Sequence, residues 1–240
     1  MGSVAGGCIS MAVATLLLRD VGLLQGSAPE AVAALAAQLS LQEFARRQVL
    51  YEKGSRGSDL FFVVAGRLQA VDHTVDAREV GLYFVDPGQH FGEMALFGQP
   101  QREETMIALG PAKVLRLPGA QARDFCARQP GVAWQLATLM AARLRDAAVQ
   151  RRLLALPHPA QRVGAQLLEL LAPALAAARS PLVIEHMPTH QELAIMINAS
   201  RETVTRVFQQ LQTRAIVQRD GANLRVLDLV ALRKMAEGGE

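Results

Sequence analysis

Apolar side chains change their rhythm part-way along this chain, and that change limits what it can fold into. As far as residue 117 they come in short runs: 49–52, 60–64, 67–71, 80–85, 105–108 and 113–117. Gly54, Gly57, Gly66, Gly88, Gly92 and Gly110 punctuate them. Short strands with turn signals at this spacing predict a barrel or jelly roll. Helical patterns flank it, near residues 29–38 and from Gly119 onward. After Pro130 a helical period takes over. Ala133, Ala137, Met140, Leu144 and Ala147 recur at alternating four- and three-residue steps, which is a heptad seam. Arg151 interrupts it and Leu154 resumes it. Pro157 and Pro159 then stop the helix, placing a hinge at 155–160. A further helix is expected over 161–178.

The segment that begins at Ser200 carries the chemistry. With Ser200 as N-cap and about 100° of rotation per residue, Val204, Val207, Phe208 and Leu211 share one apolar arc. Arg201, Glu202, Thr205, Arg206 and Gln209 fill the opposite one. Arginine suits guanine acceptors and glutamate suits the cytosine amine, so this face is able to read base edges. Upstream, Thr189, His190, Gln191 and Glu192 have capping-box spacing. Leu193, Ala194 and Ile197 supply a packing face, and Asn198 sits where a turn wants a left-handed residue. Downstream, runs at 215–219 and 224–227 flank the turn 220–223, a hairpin. Helix, turn, helix and hairpin make a winged helix-turn-helix. Its DNA contacts are expected from Thr189, Gln191, Ser200, Arg201, Glu202, Thr205 and Arg206.

Composition narrows the alternatives. Of 240 residues, 25 are basic and 22 acidic, for a net charge of +3, so DNA contact must come from local placement of arginine. Lysine occurs only at Lys53, Lys113 and Lys234; with the many alanines this points to a GC-rich coding bias, so arginine abundance is not itself evidence for DNA binding. Cys8 and Cys126 are too few for a disulfide scaffold or a four-thiolate cluster and fit a reducing cytoplasm. Residues 8–18 are apolar but stop at Arg19, too short for a bilayer, and lack the basic flank of a signal peptide. No hydrolytic triad and no zinc-site histidine spacing stand out, so neither an enzyme nor a metal site is expected.

Two motifs resemble the cyclic-AMP receptor/fumarate-nitrate-reductase regulator superfamily, over roughly residues 15–235. One is Leu193-Ala194 followed by Ala199 to Arg206, close to the family's recognition helix. The other, Gly88 to Phe97, is similar to the opening of its phosphate-binding cassette. The resemblance implies an α+β chain: a cyclic-nucleotide-binding-like β jelly roll over 15–129, a dimerisation helix over 130–157 and a winged helix-turn-helix over 158–240. It implies that backbone amides near Gly92 cradle a phosphate while Glu93 holds a ribose hydroxyl. Amides at a helix start do attract anions, and a carboxylate does accept from a sugar hydroxyl.

The departures bear on the ligand. Where cyclic-AMP receptors continue with Arg-Ser-Ala, this chain has Arg102-Glu103-Glu104. Arg102 can still neutralise a phosphate; Glu103 adds a charge that repels it. The adenine-reading Thr-Ser pair aligns with Ala147-Ala148, which offer no side-chain hydrogen bond. A carboxylate does match the two-donor edge of guanine, and some superfamily members with Arg-Glu here respond to cyclic di-GMP. The ligand set is therefore expected from Phe91, Gly92, Glu93, Met94, Ala95, Gln101, Arg102, Glu103 and Arg151. Cyclic di-GMP is the expected effector; cyclic AMP, or no effector at all, is the alternative. The expected partners are palindromic double-stranded DNA, a second copy of the chain and RNA polymerase, with no membrane.

Overall fold

A computed structural model describes residues 11–73, 79–98 and 100–239. The chain forms two compact units, one ending at Arg143 and the other beginning at Leu144.

The first unit opens with two short helices, α1 (Met11–Leu17) and α2 (Pro29–Ala36). Eight strands follow: β1 (Ser40–Phe44), β2 (Val49–Tyr51), β3 (Leu60–Ala65), β4 (Leu68–His73), β5 (Glu79–Val85), β6 (His90–Phe91), β7 (Thr105–Ala108) and β8 (Ala112–Leu117). They pair antiparallel into two four-stranded sheets, ordered β1-β8-β3-β6 and β2-β7-β4-β5. A four-residue helix, α3 (Met94–Phe97), interrupts the strands; α4 (Gly119–Arg128) and the long α5 (Pro130–Leu154) follow them.

The unbroken apolar run of β3 has a packing reason. Its alternate residues feed two different cores. Phe61 and Val63 join Leu68, Phe91, Met106 and Val114 in one core, while Leu60 and Phe62 join Leu18 and the helix residues Leu35, Ala122, Val132 and Leu136 in the other. Buried on both faces, β3 has no polar side to show. Two strands of this unit escaped the sequence reading, β1 and β6. The first reads Ser-Leu-Gln-Glu-Phe and buries only Phe44; the second has two residues, too few for any period to show.

The second unit contains α6 (Pro159–Ala176), β9 (Val183–Ile184), α7 (His190–Met196), α8 (Arg201–Thr213), β10 (Val217–Asp220), β11 (Asn223–Val226) and α9 (Leu229–Glu237). The sheet runs β10-β11-β9. Helix α6 starts two residues before the expected Gln161, because proline is tolerated in a first helical turn where its missing N–H has no partner to lose. The hairpin's first strand starts at Val217 rather than 215. Ala215 instead takes φ 53° just beyond α8, and Ile216 N–H closes the helix end onto Leu211 O at 2.9 Å.

Candidate ligand site and nucleic-acid interface

Strand β6 delivers the chain to Gly92 at φ 88°, a conformation that favours glycine. A Cβ there would lie 2.6 Å from Arg102 Nη1 and 2.7 Å from Asp59 O, so space forbids a side chain too. Arg102 fills the room left by the missing Cβ. Its Nη1 donates to Gly92 O at 3.1 Å and its Nη2 to Asp59 O at 3.0 Å. Its guanidinium carbon lies 4.4 Å from the centre of the Tyr51 ring and 5.4 Å from that of Phe61. Phe91 stacks on Phe61 at 4.9 Å, completing an aromatic floor.

Glu93 is 3% exposed and ion-paired with Arg143 of α5, whose Nη2 donates to His90 O. Burial pushes the Glu93 carboxyl up, and the Arg143 charge works against that. Its Oε2 has no protein partner. A buried acceptor left open in this way fits a ligand hydroxyl donor.

The adjacent glutamates part company. Glu103 is exposed, whereas Glu104 is 5% exposed and accepts the Tyr51 hydroxyl at 2.8 Å. Tyr83 also lies by Glu104; burial first, then the Glu104 and Glu93 charges, raise its phenol well above the usual value. The Arg143 guanidinium carbon lies 5.4 Å from the Tyr83 ring centre. Of the remaining expected ligand residues, Ala95 is buried and Met94 exposed at the start of α3. Gln101 is exposed and donates to Gly54 O at 3.2 Å. Arg151 is exposed on the part of α5 that belongs to the second unit.

Sequence reasoning missed Tyr51, Tyr83, Glu104 and Arg143. The signal for Arg143 was present. Val132, Leu136 and Leu139 mark the buried face of α5, and Arg143 continues their spacing, a charge on a core face. The expected seam lies beside that face. Ala133, Ala137, Leu144 and Ala147 are exposed, as is Trp134, but Met140 packs partly on its own β-roll.

In the second unit, α7 and α8 are both capped as their sequences require. Glu192 N–H donates to Thr189 Oγ1 at 3.2 Å while Thr189 N–H donates to Glu192 Oε2 at 2.7 Å. Thr203 N–H donates to Ser200 Oγ at 3.1 Å. Asn198, at φ 49°, makes the turn between them. Val204, Val207, Phe208 and Leu211 are buried, leaving Arg201, Glu202, Arg206 and Gln209 exposed together with Gln191 of α7. The Glu202 carboxyl is held below its usual range, chiefly by its own backbone N–H and then by Ser200, so it stays ionised. Thr205 departs from the free polar face: it is half-buried and its Oγ1 lies 2.9 Å from His190 Nδ1.

Residues 41–129 match the cyclic nucleotide-binding domain and residues 161–235 match the Crp-like helix-turn-helix domain. The cyclic AMP receptor protein of Thermus thermophilus is 31% identical over 221 residues, covering 90% of this chain and 97% of its own. The chain belongs to the CRP/FNR family of transcription regulators. A CRP-like cAMP-activated global transcriptional regulator of Mycobacterium tuberculosis is 27% identical over 220 residues, covering 92% of this chain and 98% of its own. The fold is shared with the c-di-GMP-responsive global regulator CLP of Xanthomonas campestris at a TM-score of 0.64 and 20% identity, over 83% of this chain and 99% of that one. Membership accounts for the arrangement: a nucleotide-binding β-roll, a long helix and a helix-turn-helix. Among the described residues, no helix is long and apolar enough to cross a membrane and no group of His, Cys, Asp or Glu could hold a metal ion.

Proposed function

We propose that the protein is a cytoplasmic homodimer that reads an imperfect palindrome in double-stranded DNA, acts on RNA polymerase there, and changes its DNA affinity on binding cyclic di-GMP. One observation carries the ligand reading. The exposed Glu103 carboxylate stands next in sequence to the buried Arg102, and Glu93 Oε2 of the same cassette has no protein partner. Two carboxylate oxygens match the adjacent N–H donors of guanine, and Ala147-Ala148 provide no hydrogen bond for adenine. CLP, named as responsive to cyclic di-GMP, shares the fold; the cyclic-AMP-activated relatives keep cyclic AMP as the competing ligand. The two-fold symmetry of a dimer suits a recognition helix that must meet two half-sites.

Calorimetric titration of the full chain with cyclic di-GMP, cyclic AMP and cyclic GMP, with DNA affinity measured in parallel, tests this directly. Cyclic di-GMP should bind and shift DNA affinity. Absence of cyclic di-GMP binding at high micromolar concentration sinks the ligand reading and leaves the DNA reading standing.

A further inference from the structure

Arg102 of the cassette and Arg143 of α5 each have a tyrosine ring beside the guanidinium, and Glu104 bonds one of those tyrosines and acts electrostatically on the other. Arg102 has the Tyr51 ring at 4.4 Å and Arg143 has the Tyr83 ring at 5.4 Å. Glu104 takes the Tyr51 hydroxyl at 2.8 Å and is close enough to Tyr83 to raise its phenol, after burial itself. Each arginine also spends two of its N–H groups within the chain. Arg102 donates to Gly92 O and Asp59 O, and Arg143 to Glu93 and His90 O.

We propose that Glu104, with Tyr51 and Tyr83, is a selectivity gate: it braces two rings over the two arginines and so excludes cyclic mononucleotides from the interior of the β-roll. The proposal rests on the ligand reading above and deepens it. A cyclic mononucleotide carries one phosphate, which must reach a guanidinium to be neutralised. Here that phosphate meets ring faces, guanidinium groups with two N–H bonds each already committed within the chain, and a buried carboxylate of its own sign. Glu104 supplies from within the chain the negative charge that a ligand phosphate would bring. A larger dinucleotide has a second phosphate and two bases, and can be held from the rim, where Gln101 and Glu103 are exposed. The gate also explains why the residue after Glu103 is charged although it is 5% exposed, a position where an unpaired carboxylate is costly. It is satisfied by tyrosine.

The test uses the full-length protein and four variants, Glu104→Ala, Glu104→Gln, Tyr83→Ala and Tyr51→Phe, each checked for its fold by circular dichroism. Each is titrated with cyclic AMP, cyclic GMP and cyclic di-GMP. Glu104→Ala and Tyr83→Ala should bind a mononucleotide at least tenfold more tightly than wild type. Glu104→Gln keeps an acceptor oxygen for Tyr51, and Tyr51→Phe keeps the ring over Arg102; both should gain less than either alanine variant. Wild-type binding of cyclic AMP as tight as that of Glu104→Ala overturns the gate, and so does the absence of any gain in whichever alanine variants are folded. The cyclic di-GMP arm reports separately: if wild type ignores that ligand while the alanine variants gain a mononucleotide, the gate stands and the effector assignment falls.

Discussion

Arg143 of α5 holds Glu93 of the cassette in an ion pair, although 50 positions separate them in the chain. The pair is lopsided: the glutamate side chain is 3% exposed and the arginine 33%. Removing the arginine leaves a buried carboxylate unpaired, whereas removing the glutamate leaves a cation that can reach water.

Arg143→Ala should therefore destabilise the first unit more than Glu93→Gln does. The expected loss is about 3 kcal/mol, the lower end for breaking a buried pair, because solvent already reaches the arginine. Urea denaturation followed by circular dichroism measures both. Equal losses from the two substitutions would show that the carboxylate does not depend on Arg143.

In the recognition helix, Arg201→Ala should cost on the order of 1–3 kcal/mol in binding to a selected palindrome and relax specificity at one symmetric base pair. Half-sites should lie roughly 34 Å apart, one helical turn. Ser200 and Thr205 should behave differently from Arg201, since one hydroxyl caps α8 and the other meets His190. Ser200→Ala should lower stability by about 1 kcal/mol, the usual cost of a lost N-cap. Electrophoretic mobility shifts with an unaltered affinity for Arg201→Ala would remove that residue from the interface.

The DNA-reading half was legible in the sequence because its signals are local. Thr189 and Ser200 announce caps within three residues, Asn198 announces the turn, and the stripe Val204, Val207, Phe208 and Leu211 announces the buried face. The candidate ligand site was legible only along its one continuous stretch, Phe91 to Glu93, and at Arg102. Tyr51, Tyr83, Glu104 and Arg143 come from β2, β5, the approach to β7, and α5, and only sheet pairing and the packing of α5 on the β-roll bring them together. Glu103 and Glu104 are indistinguishable by type. What separates them is the bend that precedes β7, which leaves one exposed and sets the other on Tyr51. Likewise Met140 fits the heptad by spacing, yet it borders the face of α5 that packs on the β-roll.

That last point selects the variant for testing the dimer. Leu144 is 73% exposed in the single chain, whereas Met140 contributes to its own core. Leu144→Glu should therefore give a monomer-sized species in sedimentation without loss of fold, by setting like charges opposite each other in an apolar seam. Met140→Glu should cost stability in addition. A Leu144→Glu variant that stays dimeric and binds DNA normally would move the seam elsewhere.

His190 joins protonation to DNA binding. Its Nδ1 meets Thr205 Oγ1, its ring lies 4.7 Å from Phe208, and the charges that act on it are Arg219 and Arg201. Burial first, then Arg219 and Arg201, hold the imidazole below its ordinary pKa, so it is neutral at pH 7 in the free protein. DNA phosphates beside the two arginines would neutralise part of that repulsion and favour the imidazolium. The pKa is then higher in the complex than in the free protein, and binding takes up a proton. DNA affinity should accordingly rise as pH falls below about 6.5, the ordinary imidazole value. Stability of the free protein moves the other way: a histidine with a lowered folded pKa binds its proton more readily when unfolded, so this contribution is lost as pH drops through the same range. Fluorescence anisotropy with labelled DNA between pH 5.5 and 8, wild type against His190→Gln, reads the binding effect. A flat profile in wild type, or an equally steep one in His190→Gln, would assign the proton to another group.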